Sequence, residues 1–182
     1  LKNTLSYMGN EERLAYDVYN YLYTIHPLKQ LTNIATNSES SHVKAVQLLI
    51  QKYIQDPSEF TNTDLTQLNY KDTPLEDMQA GVYDISAIQS LYDTLIAKGS
   101  ASPQDAYEVG CIIEVTDIHD LDEDIILAQN SDASDILSTF EFLRNGSYKH
   151  YWAFDRGLKS MGVADGCCVL RSPYCHPEYP TN

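Results

Sequence analysis

The stretch QLTNIATNSESSHVKAVQLLIQKYI, Gln30 to Ile54, is apolar along one helical face at both ends and charged in the middle. Taken in steps of three and four, that face reads Leu31, Ala35, Glu39, His42, Val46, Leu49, Tyr53. This recurrence marks an amphipathic helix, because a period of 3.6 residues returns each of these positions to the same side. Asp56-Pro57 closes the segment, since proline cannot continue a helix and biases the residue before it away from the α region. A core-facing stripe interrupted by a carboxylate and an imidazole one turn apart needs a chemical reason.

Working outward, three further segments repeat the pattern. Segment one, about Ser6 to Thr24, stops before His26-Pro27 and presents Leu5, Met8, Glu12, Ala15, Tyr19 and Leu22. Segment three opens on Ser102-Pro103-Gln104-Asp105, with a serine cap, proline at the first helical position and an acid in the first turn. Its stripe is Gly110, Glu114, Asp117, Leu121, Ile125. Segment four follows Asn130-Ser131-Asp132 and runs to about Lys159, presenting Ile136, Phe140, Leu143, Ser147, His150, Phe154 and Leu158. Its Asn145-Gly146 pair predicts a kink or a close backbone approach. Between Gln55 and Ser102 the pattern weakens into polar loop and a shorter helix, roughly Ser86 to Lys98, stopped by Gly99. Such a crossover lets segments two and three run in the same direction. With no alternating strand pattern and no internal repeat, the reading is an all-α four-helix bundle over residues 1–162, followed by a Cys/Pro-containing tail, 163–182.

Composition agrees. The 182 residues are 43% hydrophobic and 21% charged, enough for a sizeable core, and no apolar run is long enough to span a membrane. Twelve basic against 26 acidic residues give a net charge of −14, which argues against nucleic acid and anionic lipid and makes metal cations the natural counter-charge. Cys111 lies alone in an apolar run and reads as a free, buried thiol, whereas Cys175 is expected to pair with Cys167 or Cys168. Together with a start at Leu1 that reads as processed or trimmed, this points to an extracellular or periplasmic location, with the cytoplasm as the alternative. A soft-metal site of tail thiols with His176 is the rival reading, although no CxxC pair is present.

The centres of the four stripes carry Glu12, Glu39 with His42, Glu114 with Asp117, and Ser147 with His150. Spacing of i, i+3 puts both members of a pair on one helix face, able to reach one point inside the bundle. Burying four carboxylates uncompensated would be prohibitive, and two divalent ions would balance them. The mixed oxygen and nitrogen donor set suits iron, with manganese or zinc as alternatives. A lone Glu, Asp or His is ordinarily solvated or a satisfied core group, and four coincident central interruptions carry the metal reading. Glu12 and Tyr19 are the candidate catalytic residues. Tyr16 and Trp152 are candidates for radical chemistry, against the simpler alternative of packing, and His119 and Asp120 for orienting the ligands, against surface placement. Asn145-Gly146-Ser147 fits a glycosylation sequon but falls mid-helix, and Asp122, Glu123 and Asp124 read as a solvated helix end.

The runs ERLAYDVY from Glu12, Glu39-Ser40-Ser41-His42 and GCIIEVTD from Gly110 resemble the metal-ligand helices of the ferritin-like superfamily, nearest its rubrerythrin branch. More closely, GNEERLAYDVY, NIATNSESSH, SLYDTLIAKGS, IIEVTDIHDLD and LRNGSYKHYWAF are similar to the DUF2202 family, over roughly Met8 to Met161. The resemblance implies a ferritin-like bundle in which Glu12, Glu39, His42, Glu114, Asp117 and His150 ligate two metal ions. Ser147 stands where the fourth-helix ExxH motif has its Glu, which implies an open or water-filled coordination position. No CxxC…CxxC module is present, so an external electron donor would be needed. The implied function is a di-iron oxidoreductase acting on peroxide or dioxygen. Its rivals are a non-catalytic metal-binding or storage protein and an extracellular structural or assembly protein, with homo-oligomerisation left open.

Overall fold

A computed structural model describes residues 1–59 and 71–181, and every regular element among them is helical. The elements are α1 (Lys2–Ile25), α2 (Lys29–Ile34), α3 (Ser40–Tyr53), α4 (Ser86–Gly99), α5 (Pro103–Asn130) and α6 (Ser134–Ser160). Part of the polar connection expected after Gln55 lies outside the described residues. No helix among the described residues is long and apolar enough to cross a membrane.

Segment two is helical throughout but not uniformly α. Ala35–Glu39 forms a π turn that joins α2 to α3. The π turn carries Glu39 to the same inward side as Leu31 and Ala35. Leu31, Ala35 and Glu39 are accordingly all buried.

Contacts between the long helices set their directions. Tyr19 meets Glu114, whereas Tyr7 lies near Asp120, so α1 and α5 are antiparallel. Gln30 accepts from the Tyr107 hydroxyl at one end, and Glu39 lies in the field of Glu114 further along, so the α2–α3 run is parallel to α5. Tyr53 donates to Asp135, and His42 lies near Gly146, which makes α3 and α6 antiparallel. The crossover therefore does what its length suggested, carrying the chain back so that segments two and three share a direction.

Ser102 caps α5, its hydroxyl accepting from Asp105 N at 3.1 Å, with Pro103 next. The connection before α4 is tied to α1 by two buried charged residues. Asp17 accepts from Gly81 N at 3.0 Å and from the Tyr83 hydroxyl at 2.7 Å, and Arg13 donates to Val82 O at 2.6 Å while lying over the Tyr83 ring. The central face of all four segments packs inward as the periodicity required, with only Tyr53 half-exposed among the stripe residues.

The tail is held against the bundle. A 3-10 turn, Gly166–Leu170, packs on α6 and α5. Cys167 is disulfide-bonded to Cys111, and Cys168 to Cys175. The expected Cys168–Cys175 type of pairing is present, but Cys111 is not a free thiol. Fifty-six residues separate it from its partner, and only the docking of the tail on α5 brings them together. With no free cysteine, the thiol metal site with His176 is excluded. His176 instead stacks on Tyr179, whose ring packs edge-on to Tyr151, and Trp152 donates to Pro180 O at 2.9 Å.

Candidate metal centre

The four long segments bring their charged middles to one point. Glu12 comes from α1, Glu39 from the π turn, His42 from the first turn of α3, Glu114 and Asp117 from α5, and Ser147 and His150 from α6. All are buried, from Glu12 at 0% exposure to His150 at 6%.

Two triads share one residue. His42 Nδ1 lies 3.0 Å from Glu12 Oε2 and 3.1 Å from Glu39 Oε2. His150 Nδ1 lies 2.9 Å from Glu39 Oε1 and 3.3 Å from Glu114 Oε2. Each oxygen of Glu39 therefore faces a different imidazole. In each triad the donor atoms lie within 4.8 Å of one another, close enough to converge on a single ion. Glu12 Oε1 is buried with no hydrogen-bond partner. A buried orphan carboxylate oxygen is costly, and a cation between the triads would satisfy it. The oxygen and nitrogen donors of the two triads therefore fit divalent cations, with Glu39 contributing an oxygen to each triad.

Ser38, which sequence reasoning did not single out, organises the outer side of both rings. Its hydroxyl lies 2.8 Å from His150 Nε2 and 3.4 Å from His42 Nε2, leaving both Nδ1 atoms turned to the carboxylates. Ser38 lies one position off the inward stripe, so the periodicity carried no signal for it. Gly146 shows why Asn145-Gly146 falls where it does. The α6 helix continues through it, and a Cβ there would lie 2.5 Å from His42 Cε1 and 2.6 Å from Nε2. The glycine thus makes the close approach, and no break in α6 accompanies it.

The charges follow from burial and from mutual repulsion. Burial raises the Glu12 carboxyl to about 7 even though His42 opposes the shift. Glu39 is also pushed up by burial, but His150 and His42 together hold it well below the ordinary carboxylate range. Burial works against a charged His150, yet Glu114 and Glu39 raise it to about 10, and His42 is raised well above its ordinary value by Glu12 and Glu39. Without metal, the cluster therefore balances its carboxylates with protonated imidazoles.

Asp117 belongs to neither triad. Burial and the carboxylates of Glu12, Glu11, Glu114 and Glu39 raise its carboxyl well above the usual range. Ser147 faces Asp117, its hydroxyl 3.4 Å from Oδ2 and 3.3 Å from Leu143 O. The Tyr19 hydroxyl donates to Glu114 Oε1 at 2.5 Å, within the centre. Trp152 pairs with the tail, Tyr16 is half-buried, and His119 is exposed. Asp120 is turned to Glu11 and Asp124 is half-buried, so the acidic end of segment three is only partly solvated.

The family described as "Uncharacterized protein domain (DUF2202)" matches residues 2–171, which takes in the 3-10 turn of the tail. "Uncharacterized protein MJ0754" of Methanocaldococcus jannaschii is 37% identical over 161 residues, covering 88% of this chain and 76% of that protein. A crystal structure of hypothetical protein MJ0754 from Methanococcus jannaschii superposes with a TM-score of 0.72 at 35% identity, over 88% of this chain and 81% of that one.

Proposed function

The chain belongs to the DUF2202 family, and from that premise we propose that it is a dimetal redox protein of ferritin-like architecture acting on peroxide or dioxygen. The observation that carries the reading is the shared Glu39, each of whose oxygens faces a different imidazole at 2.9–3.1 Å. A carboxylate of this kind serves two ions with one side chain. Glu12 and His42 would complete one position, and Glu114 and His150 the other. Iron suits the oxygen and nitrogen donors, with manganese or zinc as alternatives. When bound, two iron or manganese ions would supply the two electrons that O–O cleavage needs, replenished by an external donor, whereas zinc, which has no redox chemistry, fits only a non-catalytic binder.

The chain's own residues supply the remainder. Tyr19 fixes Glu114 through its hydroxyl and is in direct contact with a triad, which suits it to orient that carboxylate and to furnish a proton. Burial and the neighbouring carboxylates raise the Asp117 carboxyl well above the usual range in the metal-free chain, and its place beside both triads suits it to carry a proton to a reduced oxygen. The hydrogen bond from Ser147 orients its Oδ2. The burial of the donors excludes bulk water and favours a small oxidant over a large substrate. The two disulfides support an oxidising compartment.

The same burial favours one second reading, a metal-binding or storage protein without turnover. Elemental analysis of the native protein, followed by peroxide consumption with ascorbate as reductant, separates the two. The redox reading expects two metals per chain and turnover, with Tyr19→Phe keeping the metals while slowing turnover at least tenfold. Two metals with no turnover selects the storage reading. Absence of metal refutes both.

A further inference from the structure

The crossover helix α4 packs on both α1 and α5, and a small cavity remains where the three meet. Leu14 of α1, Leu91 and Leu95 of α4, and Ile112 and Ile113 of α5 supply most of its wall. Leu14, Leu95 and Ile113 are buried whereas Leu91 and Ile112 are half-buried, so the cavity runs from a rim near the surface into the bundle. About 10 Å³ of it is open to the centre of a water-sized molecule, enough for one very small guest.

Three polar residues complete the lining. The Thr116 hydroxyl is spent on Ile112 O at 2.9 Å, the Glu11 carboxyl is turned to that of Asp120, and Asp117 Oδ2 accepts from the Ser147 hydroxyl at 3.4 Å. A guest that forms hydrogen bonds, such as water or peroxide, needs about two to four polar partners, and five aliphatic side chains offer none. Cavities walled in this way stay dry and take apolar guests. Asp117 is common to the cavity and the metal centre, since it lines the one and meets Ser147 of α6 in the other. Ile113 immediately precedes Glu114, and Leu14 follows Glu12 by two residues, so the inner end of the cavity lies level with the centre along both helices.

We propose that this cavity admits dioxygen to the metal centre. One O2 enters between Leu91 and Ile112, rests among Leu14, Leu95 and Ile113, and passes Asp117 to the ions. Dioxygen needs no hydrogen bonds, whereas peroxide on this route would leave its hydroxyls unpaired, so the lining selects dioxygen as the substrate. Delivery to the ions rests on the dimetal reading above, but occupation of the cavity by a small apolar guest stands on its lining alone.

Xenon is the probe for the cavity, and crystals of the unmodified protein under xenon pressure should show an anomalous peak among Leu14, Leu95 and Ile113. Leu95→Phe, which fills the space, should abolish that peak, and Ile112→Phe at the half-buried rim takes its place if Leu95→Phe does not fold. After anaerobic loading with Fe(II), stopped-flow absorbance should show oxidation by dissolved dioxygen slowed at least about tenfold in the variant, because a close-packed interior offers few other voids. Oxidation by hydrogen peroxide, which takes a wetter route, should stay within about twofold of the unmodified protein. Leu127→Phe, at an exposed position on α5, should leave both rates unchanged. Absence of a xenon peak overturns the cavity as a guest site and the route with it. A peak accompanied by unslowed dioxygen oxidation, or by equal slowing of both oxidants, overturns the route and leaves the dimetal reading standing. A xenon peak in a protein that takes up no Fe(II) overturns delivery and the dimetal reading together.

Discussion

Gly146→Ala removes no ligand and adds one methyl group, yet it should damage the centre. The new Cβ would stand 2.5 Å from His42 Cε1 and 2.6 Å from Nε2, against ordinary contact at 3.4 Å or more. One of the two groups must therefore move by about 0.9 Å. Retreat of α6 is opposed by its long packing interface with α5. The ring yields more easily, but it is held at Nδ1 by Glu12 and Glu39 and at Nε2 by Ser38. Metal-ligand distances tolerate only about 0.2 Å, so a shift of this size disables the His42 position while leaving that of His150 largely intact. We expect affinity at one of two positions to fall by about 10–100-fold, the scale on which misplaced supporting groups act. Stability should change little by comparison. Overpacking costs about 1–3 kcal/mol, and replacing glycine within a helix returns about 1 kcal/mol. Titration of the metal-free protein with Co(II), read by absorbance and by elemental analysis after dialysis, should give two equivalents for the unmodified chain and one tight equivalent for the variant. Two tight equivalents in Gly146→Ala would show that His42 does not ligate metal through this geometry.

Other perturbations discriminate further. Glu39→Gln should abolish both metal positions, whereas Glu12→Gln or Glu114→Gln should each abolish one, and equal losses in all three by elemental analysis would exclude a shared carboxylate. The metal-free protein should lose stability as pH rises. His150 at about 10 and His42 lie above the unfolded value near 6.5, so their stabilising contribution is complete below that pH and disappears towards 10. Glu12, raised to about 7, adds a loss between its ordinary value and neutrality. Metal binding requires neutral imidazoles, so affinity should rise over the same interval, and calorimetry showing a metal-free Tm flat between pH 6.5 and 9 would contradict this. Peptide mapping without reductant should recover the Cys111–Cys167 and Cys168–Cys175 pairs. Their separations of 56 and 7 residues correspond to about 4 and about 2 kcal/mol on the loop-entropy estimate. Cys111→Ser/Cys167→Ser should therefore lower Tm more than Cys168→Ser/Cys175→Ser.

The helices, their inward faces and the charged residues at their middles were legible in the chain. Periodicity is a local property, and each stripe states which side of its helix avoids water whatever that side packs against. Residues as distant as Glu12 and His150 could therefore be assigned to one interior before any contact was known. The same reasoning put Glu39 beside His42, because i, i+3 neighbours on a helix share a face.

Distance and partner choice were not legible in this way. That Glu39 lies between both imidazoles, while Asp117 stands outside either triad, depends on side-chain direction and helix offset at the level of an ångström. The pairing of Cys111 with Cys167 required the tail to dock on α5, a contact between segments with no shared periodicity. Glu11 lies one position off the inward stripe, about 100° from Glu12, and is buried all the same. It is buried because α1 has neighbours on more than one side, with α5 covering a face that a single inward stripe would leave to water. A hydrophobic pattern reports that a face is buried, and only the packing of the other helices around it decides which groups meet there.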